Sequence, residues 1–477
     1  MKKEFAESRD RRSFLRGSAT MAGMVLISPR GFLAGIIETT QDPPNGCPAP
    51  PTGGTPFVAG QDTRTIILRK SIKSFSPVEL GQFQSALSAL RSLPSNDPRT
   101  WVLQADLHAL YCRQCSNDGT QIHFSWNFFP WHRAYLYYYE RILGSLVGNL
   151  DGFRLPYWDW ENIRTLPAPY VAVPQGTNPL WDDKRNAGLK TGGSLPINDG
   201  SQSRINLLAG ITDFASVGGT EFSSGDCELN PHGTIHNDVG QPAPVYIDMG
   251  DLGFAARDPI FFAHHCNIDK FWSNWNRSAS RPGLSPGAYK NPTDSGFLNA
   301  RWSFYDENKN VVSISAADVL DHENNLRYIY EFPRPQIPFE IILECFLIYR
   351  GPGPDPGPFL KVSESVRTSV LAAERVQRSV VLVLLDVAFP SNTFGNFDVL
   401  AVRGDRKTYL GSLGFVHETE MKMKERMGTV ILDATNAVGD LVAADNPASI
   451  HVVARMGKTS FVLRAKSAQL RLQGARQ

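Results

Sequence analysis

Histidine is scarce in this 477-residue chain, with ten in all, yet seven of them fall between His108 and His265. Pro231-His232-Gly233-Thr234-Ile235-His236 sets two imidazoles four residues apart. On a helix both would face one way, where they could share a metal. Phe261-Phe262-Ala263-His264-His265-Cys266 holds two adjacent histidines among phenylalanines. Neighbours on a helix diverge by about 100°, so one of the pair is a ligand and the other a supporting group. Upstream, His108 precedes His123 and His132, which bracket the aromatic run Phe124-Ser125-Trp126-Asn127-Phe128-Phe129-Pro130-Trp131. Imidazoles in such apolar surroundings are costly to bury without partners. Two sets of three neutral imidazoles, with no carboxylate in either, fit copper, although iron, zinc and nickel also accept this donor. The HExxH zinc pattern is absent, and a two-histidine, one-carboxylate iron site would use only part of the set.

The elements that must position these groups are helical in the first 300 residues. Pro77 to Leu93 has apolar positions at helical spacing (Leu80, Phe83, Leu87, Leu90) after a capping Ser76. Trp101 to Tyr111 and Trp131 to Leu146 read as further helices, the latter aromatic almost all round and so buried. Pro259 to Trp275 reads as a fourth, with proline at its start. Residues 160–225 read as long loops. The expectation is a mainly α core, a four-helix bundle holding a dicopper site, over 41–335. A Gly/Pro stretch, Gly351 to Pro358, sits in an expected linker over 336–358. Beyond it, β-type runs (Val380–Val387, Phe397–Val402, Thr429–Leu432, Ile450–Ala454, Ser460–Leu463) predict an all-β, sandwich-like C-terminal domain over 359–477.

Composition narrows the classes. Hydrophobic residues at 42% and charged residues at 20% suit a folded globular chain, and a net charge of +1 gives no pull toward nucleic acid or an anionic membrane. Residues 1–40 read as a signal and spacer. Asp10-Arg11-Arg12-Ser13-Phe14-Leu15-Arg16 precedes a mildly apolar run from Gly17 to Ile27, the pattern of a twin-arginine export signal. The run is too short for a membrane span. With ten residues before Arg11, a long organelle transit peptide is not expected. The expected destination is the periplasm or secretion, through the twin-arginine export machinery, with no membrane in the mature form. Six cysteines at 47, 112, 115, 227, 266 and 345 include no repeated CxxC pair, which argues against structural zinc. An exported chain permits disulfides.

Two long segments carry a family resemblance. Gln121-Ile122-His123-Phe124-Ser125-Trp126-Asn127-Phe128-Phe129-Pro130-Trp131-His132-Arg133-Ala134-Tyr135 resembles the copper A segment of plant polyphenol oxidases, and Arg257-Asp258-Pro259-Ile260-Phe261-Phe262-Ala263-His264-His265-Cys266-Asn267-Ile268-Asp269 resembles their copper B segment. Phe297-Leu298-Asn299-Ala300, Leu326-Arg327-Tyr328-Ile329-Tyr330 and Asn396-Phe397-Asp398-Val399 resemble later segments of the same family. The resemblance implies a binuclear type-3 site of two copper ions, with ligands His108, His123 and His132 on one ion and His232, His236 and His265 on the other. His264 then packs beside them. Cys112 stands at the family position that forms a thioether to His123; a disulfide with Cys115 or another cysteine is the competing reading. Ala109 replaces a disulfide cysteine of plant relatives, leaving the pairing of Cys47, Cys115 and Cys227 open.

The resemblance also places Leu252 at the gate over copper B and Glu228 where relatives hold a water molecule. Asn237, after His236, could supply an amide to that water. Asp269 is expected to orient a ligand helix. The implied activity is oxidation of o-diphenols to o-quinones with O2 as acceptor, with hydroxylation of monophenols as a further expectation. The partners are a small phenol and O2, and no nicotinamide or flavin motif is present. A haemocyanin-like oxygen carrier is the alternative. In plant relatives the C-terminal domain covers the entrance, so a lid is expected here from about Phe359 onward.

Overall fold

The computed structural model describes residues 51–475, apart from 113–121, 173–176, 242–244, 246, 281–283, 333–338, 350–356, 377, 392, 418–425 and 457–459. The twin-arginine segment, Cys47, Cys115 and most of the Gly351–Pro358 stretch lie outside the described residues.

The first expected helix, α1 (Pro77–Arg91), forms with its cap. Ser76 Oγ accepts from the Glu79 N–H, and the Glu79 carboxylate accepts from the Ser76 N–H. This reciprocal pair satisfies two donors that a helix start leaves open. Phe83, Leu87 and Leu90 are buried, as their spacing requires. Helix α2 (Trp101–Cys112) carries His108. Helix α3 (Phe128–Leu146) begins one turn earlier than the sequence suggests, with Pro130 inside its first turn, where the missing N–H costs nothing. The Tyr135 hydroxyl donates to the Gln104 carbonyl at 2.5 Å and ties α3 to α2. After a wide turn, Glu228–Gly233, comes the short α4 (Thr234–Val239). Helix α5 (Ile260–Arg277) is capped by Asp258, which accepts from the Ile260 N–H while Arg185 grips both carboxylate oxygens.

Asp269 has the orienting role expected of it. Its carboxylate accepts from Arg133 at 2.6 Å, from Tyr328 at 2.6 Å and from Tyr330 at 2.9 Å, all buried. Burial alone would raise this carboxyl, but Arg133 and Arg69 outweigh it and hold it below the usual range. The network fixes α5 against α3, so the faces that bear His265 and His132 keep their register. Removing one partner from such a buried group costs about 3–5 kcal/mol.

The C-terminal region is largely β, with two corrections to the expected layout. The linker expected over 336–358 contains the ten-residue strand Phe339–Ile348, which belongs to the sheet. The sheet is also one surface rather than a sandwich of two. Its spatial order is Arg406–Phe415, Gly395–Arg403, Ser449–Ala454, Phe359–Lys361, Phe339–Ile348, Arg464–Ala475, Arg378–Phe389, Arg426–Asp433, with Ser460–Phe461 paired on Ser449–Ala454. The two end strands come into contact, so the sheet curls into a nearly closed barrel. Closure hides edge strands that would otherwise offer unpaired backbone groups. Its interior is apolar, with Val380, Leu382, Leu384, Phe397, Val399 and Leu413 all buried. No described helix is long and apolar enough to cross a membrane.

Candidate metal centre

The seven histidines singled out above converge on one buried site, none more than 3% exposed. His108 on α2, His123 before α3 and His132 on α3 have ring centroids 5.1–5.4 Å apart. His232 on the wide turn, His236 on α4 and His265 on α5 form the second set, with centroids 4.5–5.5 Å apart. The sets face each other. The His132 and His265 rings stack at 4.2 Å with their planes 6° apart, and His123 lies 5.7 Å from His232.

Backbone carbonyls set the ring orientations. His108 Nδ1 is 2.8 Å from the Leu252 carbonyl, His132 Nδ1 2.7 Å from that of Phe128, His232 Nδ1 3.1 Å from that of Glu228 and His236 Nδ1 2.9 Å from that of Met249. A carbonyl only accepts, so each Nδ1 carries the proton and each Nε2 keeps a lone pair. Among the described residues, Nε2 of His132 and of His232 has no hydrogen-bond partner despite full burial. A buried polar atom left unmet costs about 1–3 kcal/mol, and a metal ion is the group this donor set fits.

Burial, followed by the neighbouring imidazoles, holds His108, His123, His232, His264 and His265 well below the usual histidine range. Burial takes His132 down to about 3 and His236 to about 4. Six neutral nitrogen donors with no carboxylate among them suit copper. His264 differs from His265. It lies 4.9 Å from His236 and 5.6 Å from His232, with Trp160 at 6.2 Å, and its ring has no contact with the His108, His123 and His132 set among the ring pairs described. His265 reaches both sets, with Nε2 3.3 Å from His236 Nε2 and its ring on His132.

The remaining expected residues divide. The Cys112 thiol sits 3.2 Å from His123 Nδ1 and 3.4 Å from both His108 ring nitrogens. Cys227 is a free buried thiol, as are Cys266 and Cys345. Glu228 is buried beside the site. Its Oε1 accepts from the Phe124 N–H at 2.8 Å, and burial pushes its carboxyl up to about 8. Leu252 is only 2% exposed, and its carbonyl, which the sequence could not reveal, orients His108. Asn237 follows His236 on α4, and its amide donates to Asn396 Oδ1 at 3.0 Å in the barrel. Sequence reasoning also missed Arg426, a buried guanidinium 4.6 Å over the Phe124 ring and 5.2 Å over Phe394. No local pattern marks it, because its neighbours are distant in sequence.

Comparison with known proteins agrees with the geometry. The family model of the common central domain of tyrosinase matches residues 98–206 and 196–278, and that of the polyphenol oxidase middle domain matches 291–338. The polyphenol oxidase of Grenache (Vitis vinifera) is 30% identical in its solved structure, with a TM-score of 0.55; the match covers 64% of this chain and 96% of that one. The chain therefore belongs to the polyphenol oxidase family of type-3 copper proteins. The latent chloroplastic polyphenol oxidase of Prunus armeniaca is 36% identical over 285 residues, 53% of this chain and 46% of that protein. The chain thus spans about half the length of the curated relatives it matches. The structure of latent apple tyrosinase, 23% identical with a TM-score of 0.61 over 88% of this chain and 98% of that one, shares the fold including the C-terminal region. One expectation is overturned. The periplasmic or secreted destination does not hold, since the relatives from Prunus armeniaca, Ipomoea batatas, Vitis vinifera and Malus domestica are chloroplastic.

Proposed function

We propose that the chain oxidises o-diphenols to o-quinones, two diphenols being consumed per O2 reduced to two waters. The observation that carries this reading is the pair of facing three-histidine sets, neutral and buried, with Nδ1 of four rings tied to backbone carbonyls. His108, His123 and His132 would hold one copper ion, and His232, His236 and His265 the other. When bound, a copper pair supplies the capture of O2 and the acceptance of electrons from the phenol. The protein fixes the donors and excludes water with the wall of Phe128, Phe261 and Trp131. Cys112, whose thiol lies 3.2 Å from His123 Nδ1, would lock that ring through a thioether. Glu228 clamps the backbone beside His123 through Oε1 and would hold a water beside the second copper set.

Diphenols are the primary substrate class. Hydroxylation of monophenols has less support, since Gly233 follows His232 directly and the Asn237 amide is turned to Asn396. The experiment is copper quantitation with turnover on a catechol and its matching monophenol. About two coppers per chain with quinone formation is expected. Copper and reversible O2 binding without quinone would instead make the protein an oxygen carrier.

A further inference from the structure

The barrel touches the candidate metal centre through backbone. Gly233, directly after His232, lies against Gly414 of strand Arg406–Phe415 so closely that a β-carbon on either glycine would collide with the other's chain. Only glycine permits such an approach. The contact is reinforced on both sides. Asn230 Nδ2, in the same wide turn, donates to the Ser412 carbonyl at 3.1 Å and to its hydroxyl at 2.9 Å. Asn396 Nδ2 donates to the Thr234 carbonyl at 3.2 Å and to Asp238 Oδ1 at 2.8 Å, gripping α4. The barrel reaches the other histidine set as well. The Leu252 N–H donates to the His417 carbonyl at 2.9 Å, and the carbonyl of the same Leu252 orients His108.

We propose that the barrel is a working part of the metal centre: Gly414 and Asn396 are positioning residues that hold the turn and helix bearing His232 and His236. This inference rests on the copper reading above. A cover need only lie over an entrance. These contacts are instead made to the backbone that presents the donors, and they leave no space for slack at position 233.

The test uses the full-length chain, loaded with copper, in four forms: unchanged, Gly414→Ala, Asn396→Ala, and Arg406→Ala on the exposed barrel surface as control. Three quantities are read: copper per chain, the rate of copper loss to a chelator, and the electron paramagnetic resonance of the oxidised protein. Gly414→Ala and Asn396→Ala are expected to lose copper at least ten-fold faster and to gain a signal from uncoupled Cu(II), with Arg406→Ala unchanged. Asn396→Ala retains every backbone contact, so it decides the matter if Gly414→Ala fails to fold. Release rates and a silent spectrum matching the unchanged chain in Asn396→Ala would overturn the inference while leaving the copper reading intact. An unchanged chain that takes up no copper would instead remove the reading on which it rests.

Discussion

The Phe124 N–H donates to Glu228 Oε1 at 2.8 Å, joining the residue after His123 to the turn that presents His232. Phe124 is held at a φ of 58°, a left-handed conformation that costs a non-glycine residue roughly 1 kcal/mol and that this bond helps to hold. Glu228→Ala would leave a part-buried N–H unmet and is expected to lower stability by about 1 kcal/mol. Glu228→Gln keeps an acceptor and should recover most of that loss. Thermal melting of both variants checks the prediction, which fails if they melt together.

The two adjacent histidines are expected to behave differently. His265→Ala should bind about one copper per chain or fewer and lose more than about 100-fold in diphenol turnover. His264→Ala should keep two coppers, since His265 and not His264 stacks on His132 of the facing set. His132→Ala should follow His265→Ala. Metal analysis on purified folded protein decides. Full copper in His265→Ala, with loss in His264→Ala, would exchange their roles.

His322 predicts an acid sensitivity separate from the metal. It is buried, with Nε2 2.8 Å from the Ser273 hydroxyl and Nδ1 2.8 Å from the Tyr328 carbonyl. Burial, then the Arg133 charge, lowers it to about 4 in the fold. The unfolded chain would take up that proton near pH 6.5. The folded value is the lower one, so this stability is present above pH 6.5 and is lost as pH falls toward 4, in total about 3 kcal/mol. Denaturant unfolding of the chain and of His322→Asn between pH 7.5 and 4.5 tests it. The variant should give the shallower slope; parallel slopes would refute the assignment.

The lid expected from the resemblance makes a different demand from the barrel contacts above. A protease site engineered into residues 333–338 should release the whole barrel after cleavage and denaturant-free separation. A plain lid predicts a soluble core with its copper and a several-fold higher turnover. A barrel that positions His232 predicts copper loss and lower turnover. Metal content and rate, measured on the same fraction, separate the two.

The site is largely legible in the sequence because its signal is local. Histidines set among phenylalanines are expensive unless a metal or a hydrogen bond meets them, and all seven are found together. The Ser76 cap is legible for the same reason, since it depends only on the first turn of its helix. What stays hidden depends on distant chain. The hydrogen bond from Asn237 to Asn396 is invisible in the sequence because the two stand 159 residues apart. The carbonyls of Leu252 and Met249 orient two imidazoles, yet no side chain announces a carbonyl's direction. Strand Phe339–Ile348 falls inside the expected linker because Pro333, Pro335 and Pro338 precede it and the Gly/Pro stretch follows. Sandwich and barrel share the same strand pattern, and only the long-range contact of the end strands tells them apart.

That misplaced strand has a consequence for how the chain can be cut. Phe339–Ile348 pairs with Arg464–Ala475 near the far end of the sequence and with Phe359–Lys361 just beyond the Gly/Pro stretch. A nick within 350–356 therefore does not detach a domain. It leaves the upstream fragment with one stave of the barrel and the downstream fragment with the rest. The two pieces should co-migrate in native gel filtration and come apart only in denaturant. Mixed again after dilution, they should reassemble by returning that stave to its place, so the nicked molecule would act as a split protein whose halves recognise each other through backbone pairing.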